Sequence, residues 1–194
     1  MPHDGPHAQT TDSAILPDLL TLTAEALAPA EFLLETARQT IRSLVEVDGR
    51  VSARSVEAHQ TATHGLAWLA IYVEALRQMQ KWAETLSSQG RFTDLDALLH
   101  QIAFGEYLSQ MTGGIQMSQT ELVRPQDLGL TRDALSMMND ASVQTLCDHG
   151  NTQAARTRLT DLIVQQQGTV TYGTTGLDAE LEMIRDQFRR YAVD

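Results

Sequence analysis

The sequence predicts an all-α protein folded as an up-and-down helical bundle. Ala, Leu, Gln, Glu and Met, which favour helices, are abundant, whereas Phe, Tyr, Ile and Val are scarce. Long segments repeat apolar residues at steps of three and four, and short polar turns separate them. At 194 residues the chain can bury one core of ordinary size.

Four regions are predicted along the chain. Residues 1–15 are polar and contain two prolines and a glycine, which is typical of a disordered tail. Residues 16–166 form the bundle, residues 167–177 form a linker, and residues 178–194 form a last helix. The stretch Gly168–Gly176 is rich in glycine and β-branched residues and has no helical period, so it is a linker or a short extended strand.

The first half of the bundle is predicted to contain a short helical piece and two long helical segments. A piece from Leu16 to Ala28 is closed or kinked at Pro29, because proline lacks a backbone N–H. Ala30 to Val47 follows, and Asp48-Gly49 ends it. The segment from about Ser52 to Ser88 has two nearly opposite apolar stripes, which predict a helix at the centre of the bundle. These stripes are Ala62, Leu66, Leu69, Val73 and Leu76, and Trp68, Tyr72, Ala75, Met79, Trp82 and Leu86.

Three further helices follow, with their bounds set by capping residues and by glycine or proline. They run from Thr93 or Asp94 to Gly113-Gly114, from Thr131 to about Asp148, and from Asn151 or Thr152 onward. Pro125 ends any continuation of the first of these three helices.

The last predicted helix, residues 177–192, has one apolar stripe. Acidic residues crowd its first turn and arginines its last, which complements the helix dipole. A single stripe must be buried against another element, and we expect that element to lie beyond Asp194. The stripe consists of Leu177, Leu181, Ile184, Phe188 and Tyr191.

Composition excludes several classes of function. The formal net charge of −11 argues against nucleic acid or an anionic membrane as partner. No secretory signal is visible, and the most apolar stretch, Gly65 to Met79, is too short to span a bilayer. The single cysteine, Cys147, excludes an internal disulfide and is expected to be a small, half-buried residue. These features predict a cytoplasmic protein.

No metal site and no catalytic residue are predicted. His59 and His64 are five residues apart, so they do not share one helical face as ligands do, and His64 is more typical of a satisfied core histidine. The sequence contains no Glu-x-x-His pair of the di-iron type, no P-loop and no dinucleotide fingerprint. No pair of carboxylates stands out for acid–base catalysis.

One segment leaves two interpretations open. Gln110-Met-Thr-Gly113-Gly114 runs a helix into two adjacent glycines, which allow close approach by a ligand or another chain. On physical grounds alone, a simple break between two helices is the favoured interpretation.

Two motifs together resemble the acyl-CoA dehydrogenase family. The sequence Glu180-Leu-Glu-Met-Ile-Arg-Asp-Gln-Phe-Arg-Arg-Tyr-Ala192 is similar to the first helix of that family. The Gln110-Met-Thr-Gly113-Gly114 segment is similar to the Gln-x-x-Gly-Gly turn of its C-terminal helical domain. The bundle here precedes the N-terminal type of helix, an order that resembles family members with a long helical N-terminal extension.

The resemblance implies a bundle like the family's C-terminal helical domain and a flavin-dependent enzyme. In that family an α-proton is abstracted, a β-hydride passes to N5 of FAD, and an electron-transfer flavoprotein accepts the electrons. It implies FAD contacts for Gln110, Gly113 and Gly114, although Ile115-Gln-Met-Ser118 replaces the further glycine and aromatic residue of the family pattern. We therefore expect a vestigial copy of that turn.

The sequence thus predicts the N-terminal portion of such an enzyme, with residues 178–194 as the first helix of a truncated catalytic unit. FAD is expected in the full-length enzyme and not on this chain alone. The expected partners are the remainder of the enzyme body, further copies in a homo-oligomer, and the electron-transfer flavoprotein. The alternative hypothesis is a free-standing α-helical interaction module.

Overall fold

The computed structural model describes residues 14–166 and 173–193, which form eight α-helices and two short antiparallel strand pairs. Most of the predicted tail, and residues 167–172 of the predicted linker, lie outside the described residues. The helices are α1 Leu19–Val45, α2 Ala53–Ala58, α3 Gln60–Ser88, α4 Asp94–Gly113, α5 Arg132–Ser136, α6 Ala141–His149, α7 Gln153–Gln165 and α8 Ala179–Val193. The strand pairs are β1 Glu46–Val47 with β2 Arg50–Val51, and β3 Ile115–Gln116 with β4 Leu122–Val123. The predicted all-α bundle is confirmed.

Helices α1, α3 and α4 form the centre of the bundle, and α6 and α7 pack against α4. The hydroxyl of Thr23, near the start of α1, donates to Gln80, in the last third of α3. Tyr72, in the middle of α3, donates to Gln110, near the end of α4. Arg77 donates to Glu31, and the ring of Trp82 lies near that of His100, so position rises along one helix as it falls along its partner. Consecutive long helices are therefore antiparallel, as in an up-and-down bundle.

Pro29 does not close the first helix, as the sequence predicted it could. Helix α1 is a single helix of 27 residues with Pro29 inside it and buried. Proline in a helix interior costs about 3 kcal/mol because one backbone hydrogen bond is lost. Residues on both sides of it are fully buried, namely Ala26, Ala30 and Leu33. Burial of both halves of α1 against the core keeps the helix continuous.

The predicted helix from Ser52 to Ser88 is wrong at its first turns, because the chain breaks at His59 into α2 and α3. The backbone of His59 has φ −118° and ψ 36°, outside the helical region.

Asp48-Gly49 also differs from the prediction that it ends the first long helix. Helix α1 ends before it at Val45, and both residues have positive φ in the two-residue turn between β1 and β2.

The predicted helix from Thr131 to Asp148 is likewise divided. Thr131 caps α5 as expected, but a 3₁₀ turn at Met137–Asn139 separates α5 from α6. The Asp140 carboxylate accepts the N–H of Ser142 at 2.9 Å and so starts a new helix. The predicted caps Thr93 and Thr152 are confirmed at α4 and α7.

Two glycines let α4 approach the end of α6 closely. A Cβ at Gly105 would lie 2.7 Å from the carbonyl oxygen of Leu146, and one at Gly150 would lie 3.3 Å from the Cα of Gly105. Only glycine fits such a contact between backbones. This contact holds the part of α4 that leads to the Gln110–Gly114 segment.

Candidate functional site

The side chain of Gln110 is engaged within the bundle. Its Oε1 accepts the phenolic O–H of Tyr72 at 2.6 Å, and its Nε2 donates to Oε1 of Glu106 at 2.7 Å. Burial raises the pKa of Tyr72, with smaller contributions from Tyr107 and Glu106, so this hydroxyl remains a donor at neutral pH. Both ends of the Gln110 amide therefore have partners on α3 and α4.

The same network continues from Glu106 to the start of α7. The second oxygen of Glu106 accepts the Asn151 amide N–H at 2.7 Å, and the Asn151 carbonyl oxygen accepts from Nε of Arg156 at 2.6 Å. The rings of Tyr72 and Tyr107 stack at 4.5 Å between centroids. These contacts join three helices around Gln110, which is typical of a packing network.

Gly113 and Gly114 form the end of α4 and the entry into β3. The N–H of Gly114 donates to the carbonyl oxygen of Gln110 at 2.7 Å, so this N–H is part of the hydrogen bonding of the last turn of α4. Gly114 has φ +136°, and a Cβ there would lie 3.0 Å from the Leu122 side chain of β4. A Cβ at Gly113 would meet nothing within 4 Å. The second glycine is thus required by the turn itself.

A groove of about 740 Å³ lies between the start of α3 and the hairpin that follows Gly114. Its lining residues are Gln60, Thr61, Thr63, His64, Met117, Thr120, Glu121 and Leu122. No Lys or Arg is among these described lining residues, and Glu121 carries a negative charge. The groove therefore offers a pyrophosphate no lysine or arginine cation, and it places one carboxylate beside it.

The residues around this segment do not fit the adenosine–pyrophosphate part of FAD. One N–H of the Gln110 amide and the N–H of Gly114 already have partners, and the nearest charged group is the Glu106 carboxylate, which lies 3.9 Å from Arg156. The structure brings Gln110, Gly113 and Gly114 to one helix end, as the sequence predicted. It surrounds them with internal partners and acceptors instead of donors facing a ligand.

The histidine predicted to face the core lies elsewhere. His64 is exposed, and its Nε2 accepts the indole N–H of Trp68 at 3.1 Å. Among residues 14–166 and 173–193, no group of three or more His, Cys, Asp or Glu is arranged to hold a metal ion. Cys147 is half-buried, as predicted, and burial raises the pKa of its thiol.

Sequence reasoning missed His100, the fully buried histidine of α4. His100 Nε2 lies 3.0 Å from the Thr23 hydroxyl, whose single proton can go to Gln80 Oε1 at 2.7 Å or to the Leu19 carbonyl oxygen at 2.9 Å. His100 Nδ1 has no hydrogen-bond partner, and burial lowers the pKa of the ring to about 4. The signal was available, since His100 directly follows the two apolar residues Leu98 and Leu99.

Helix α8 leaves its apolar stripe uncovered. Leu181 is 48% exposed, Phe188 73% and Tyr191 88%. Ile184 lies in the same stripe and is also exposed. Leu177, the first residue of the predicted stripe, is half-buried and precedes α8, so the exposed part of the stripe begins at Leu181. Within the described part of the chain, no helix is long and apolar enough to cross a bilayer.

Comparison with known proteins gives one clear relationship. No family model matches the chain. The curated (2S)-methylsuccinyl-CoA dehydrogenase of Cereibacter sphaeroides is 52% identical over 182 residues, which cover 94% of this chain and 32% of that protein. The chain thus matches one part of an acyl-CoA dehydrogenase, as its two motifs predicted, and it spans about a third of the length of this relative.

Proposed function

We propose that this chain is the N-terminal portion of a flavin-dependent, cytoplasmic acyl-CoA dehydrogenase that converts methylsuccinyl-CoA to mesaconyl-CoA. Its role is structural: the bundle packs against the rest of the enzyme and supports its assembly. No residue of this chain takes a catalytic part. The 52% identity to a third of a methylsuccinyl-CoA dehydrogenase supports the choice of enzyme.

The observation that carries the structural role is the uncovered stripe of α8. Four large apolar side chains on one face of a helix are costly to leave in water, at about 25 cal/mol for each Å² of apolar surface. Helix α8 makes few contacts with the bundle, so its face is free for another surface. The body of the dehydrogenase is the surface that we propose. The four side chains are Leu181, Ile184, Phe188 and Tyr191.

FAD belongs, in this proposal, to the full-length enzyme and not to this chain. The engaged amide of Gln110 and the neighbouring Glu106 support that division. The segment Gln110–Gly114 keeps the helix end of a cofactor turn but serves packing. Electrons would leave the whole enzyme through an electron-transfer flavoprotein, and the enzyme would be a homo-oligomer.

The alternative is a free-standing interaction module. The same uncovered stripe of α8 favours it, because an amphipathic helix can lie in the groove of an unrelated partner. The two proposals differ in the surface that α8 recognises.

A mixing experiment separates them. The 194-residue chain is mixed with the part of the Cereibacter sphaeroides dehydrogenase that it does not match, and the two are run together on a size-exclusion column. We expect co-elution of the wild-type chain and its loss in Phe188→Asp, which places a charge in the centre of the stripe. Phe32→Asp is the matched control, because Phe32 is also exposed but lies on α1.

Loss of co-elution in both variants would show general damage, and no co-elution of the wild-type chain would favour the interaction module. Flavin content gives an independent readout. The purified chain should be colourless and should show no quenching of FAD fluorescence on titration. A yellow preparation with stoichiometric flavin would contradict a purely structural role.

A further inference from the structure

Residues Gly173–Gly176, which we call the strap, lie against the bundle between α3 and α4. The indole N–H of Trp82, on α3, donates to the carbonyl oxygen of Thr174 at 2.8 Å. From α4, Asp96 accepts the Thr174 backbone N–H at 2.6 Å on Oδ1 and its hydroxyl at 2.9 Å on Oδ2. One residue of the strap thus has its N–H, C=O and hydroxyl all bound by the bundle.

The Asp96 carboxylate is well placed to accept these two hydrogen bonds. It is fully buried, and it also accepts the N–H and hydroxyl of Thr93 as part of the α4 cap. Burial raises the pKa of Asp96, but the hydrogen bonds from Thr93 and Thr174 outweigh burial and leave the pKa below its ordinary value. The group is therefore a charged acceptor at neutral pH, which makes its hydrogen bonds strong.

The two glycines of the strap allow it to lie close to α3 and α4. Gly176 has φ +72°, and a Cβ there would lie 3.0 Å from Cδ1 of Trp82. Gly173 has φ +79°, and its Cβ would lie 3.1 Å from Leu99. A larger residue at either position would be strained and would also meet the bundle.

The strap is joined directly to the first turn of α8. The hydroxyl of Thr175 donates to the carboxylate of Glu182, and Asp178 caps the helix by accepting the N–H of Leu181 at 2.9 Å. Glu182 also pairs with Arg185 at 2.6 Å. The position of the strap on the bundle therefore influences the direction in which α8 begins.

We infer that Trp82 and Asp96 form a binding site for the chain's own Gly173–Gly176 strap, and that this site sets the orientation of α8 relative to the bundle. These four residues belong to the predicted linker, but they hold the start of α8 against the bundle. Both residues are positioning residues, since they act on α8 through the strap. The strap orients α8 whichever partner α8 binds, so this chain alone is sufficient for the test.

Nuclear magnetic resonance of the wild-type chain tests it first. The backbone N–H of Thr174 and the indole N–H of Trp82 should exchange with solvent much more slowly than exposed groups. Trp82→Phe, which keeps an aromatic ring but lacks the N–H, should raise the exchange rate of the Thr174 N–H by about tenfold, since one hydrogen bond is lost. Thr174→Val should give a similar rise for the Trp82 indole.

Glycine variants provide a matched control. Gly176→Ala should raise both exchange rates by about tenfold or more, because its Cβ meets Trp82. Gly90→Ala introduces similar backbone strain at φ +65° but has nothing within 4 Å of its Cβ. It should leave both rates unchanged.

Orientation is measured directly by spin labels on Ser87 and Gln187 in a Cys147→Ser background. The distance distribution should be narrow in the parent and at least about twice as broad with Gly176→Ala, because the strap then no longer holds the first turn of α8. Two results would overturn the inference. One is a Thr174 N–H that exchanges at the rate of an unstructured peptide in the wild-type chain. The other is an equally broad distribution in parent and variant.

Discussion

Helices α4 and α8 both resemble parts of the same enzyme family, yet their surroundings differ in kind. Phe104 of α4 is fully buried, and the polar side chains Gln110 and Glu106 have partners on neighbouring helices. Phe188 of α8 is 73% exposed. Within the described residues, the bundle packs around α4, whereas the apolar face of α8 is exposed. Two segments that resemble one enzyme family therefore differ in how far this chain buries them.

The largest expected difference concerns the core of α4. Phe104→Ala should lower the free energy of unfolding by about 3–5 kcal/mol, because it removes a buried ring and leaves a cavity. Urea denaturation followed by circular dichroism measures it. A loss below about 1 kcal/mol would mean that α4 is not the packed centre of the bundle.

Acid should weaken the bundle through His100. Burial lowers the pKa of His100 from 6.5 to about 4, so the folded state takes up this proton less readily than the unfolded state. The stability that depends on neutral His100 is complete above about pH 6.5 and is lost as pH falls to about 4, in total about 3 kcal/mol. Denaturant midpoints of wild type and His100→Gln between pH 7 and pH 4 measure it. Equal pH slopes in the two proteins would contradict the lowered pKa of His100. Helix α8 contains no histidine, so this pH dependence does not arise there.

A smaller effect is expected at Tyr72. Tyr72→Phe removes the O–H that occupies Gln110 and should cost about 1 kcal/mol of stability. Thermal unfolding measures this loss. The same variant should not gain affinity for FAD in a fluorescence titration, because Glu106 still holds the other end of the amide. Appearance of FAD binding would show that Tyr72 masks a working cofactor turn.

The smallest effect is expected on α8. Leu181→Asp should change the free energy of unfolding of the bundle by less than about 0.5 kcal/mol, because this side chain is half-exposed and lies outside the core. The same denaturation experiment serves as the readout. A loss comparable to that of Phe104→Ala would show that the stripe of α8 docks on the bundle.

Local patterns predicted the helices well where a cap and a long apolar period agreed. Thr93 and Thr152 cap the predicted helices, and the amphipathic period of α8 is present in the structure. The interruption of α3 at His59 and the continuity of α1 through Pro29 were not predictable in this way. Both depend on what the flanking residues bury, which a local period does not contain.

The candidate site at Gln110–Gly114 was likewise only partly predictable from the sequence. Its position at a helix end follows from Gln110 and two adjacent glycines in sequence. Its chemistry depends on Tyr72 and Asn151, which lie 38 and 41 residues from Gln110 and reach it or its partner Glu106 only through the fold. The strap is a further example, because Asp96 and Thr174 are 78 residues apart and no motif connects them.

Amide hydrogen exchange, measured by mass spectrometry on the chain with and without the unmatched part of the Cereibacter sphaeroides dehydrogenase, tests the central claim most directly. In the chain alone, amides of α4 should exchange only on global unfolding, whereas those of α8 should exchange much faster through local opening. Addition of the dehydrogenase part should slow exchange in α8 and leave α4 unchanged. Protection of α8 equal to that of α4 in the chain alone, or no change on addition, would contradict the account.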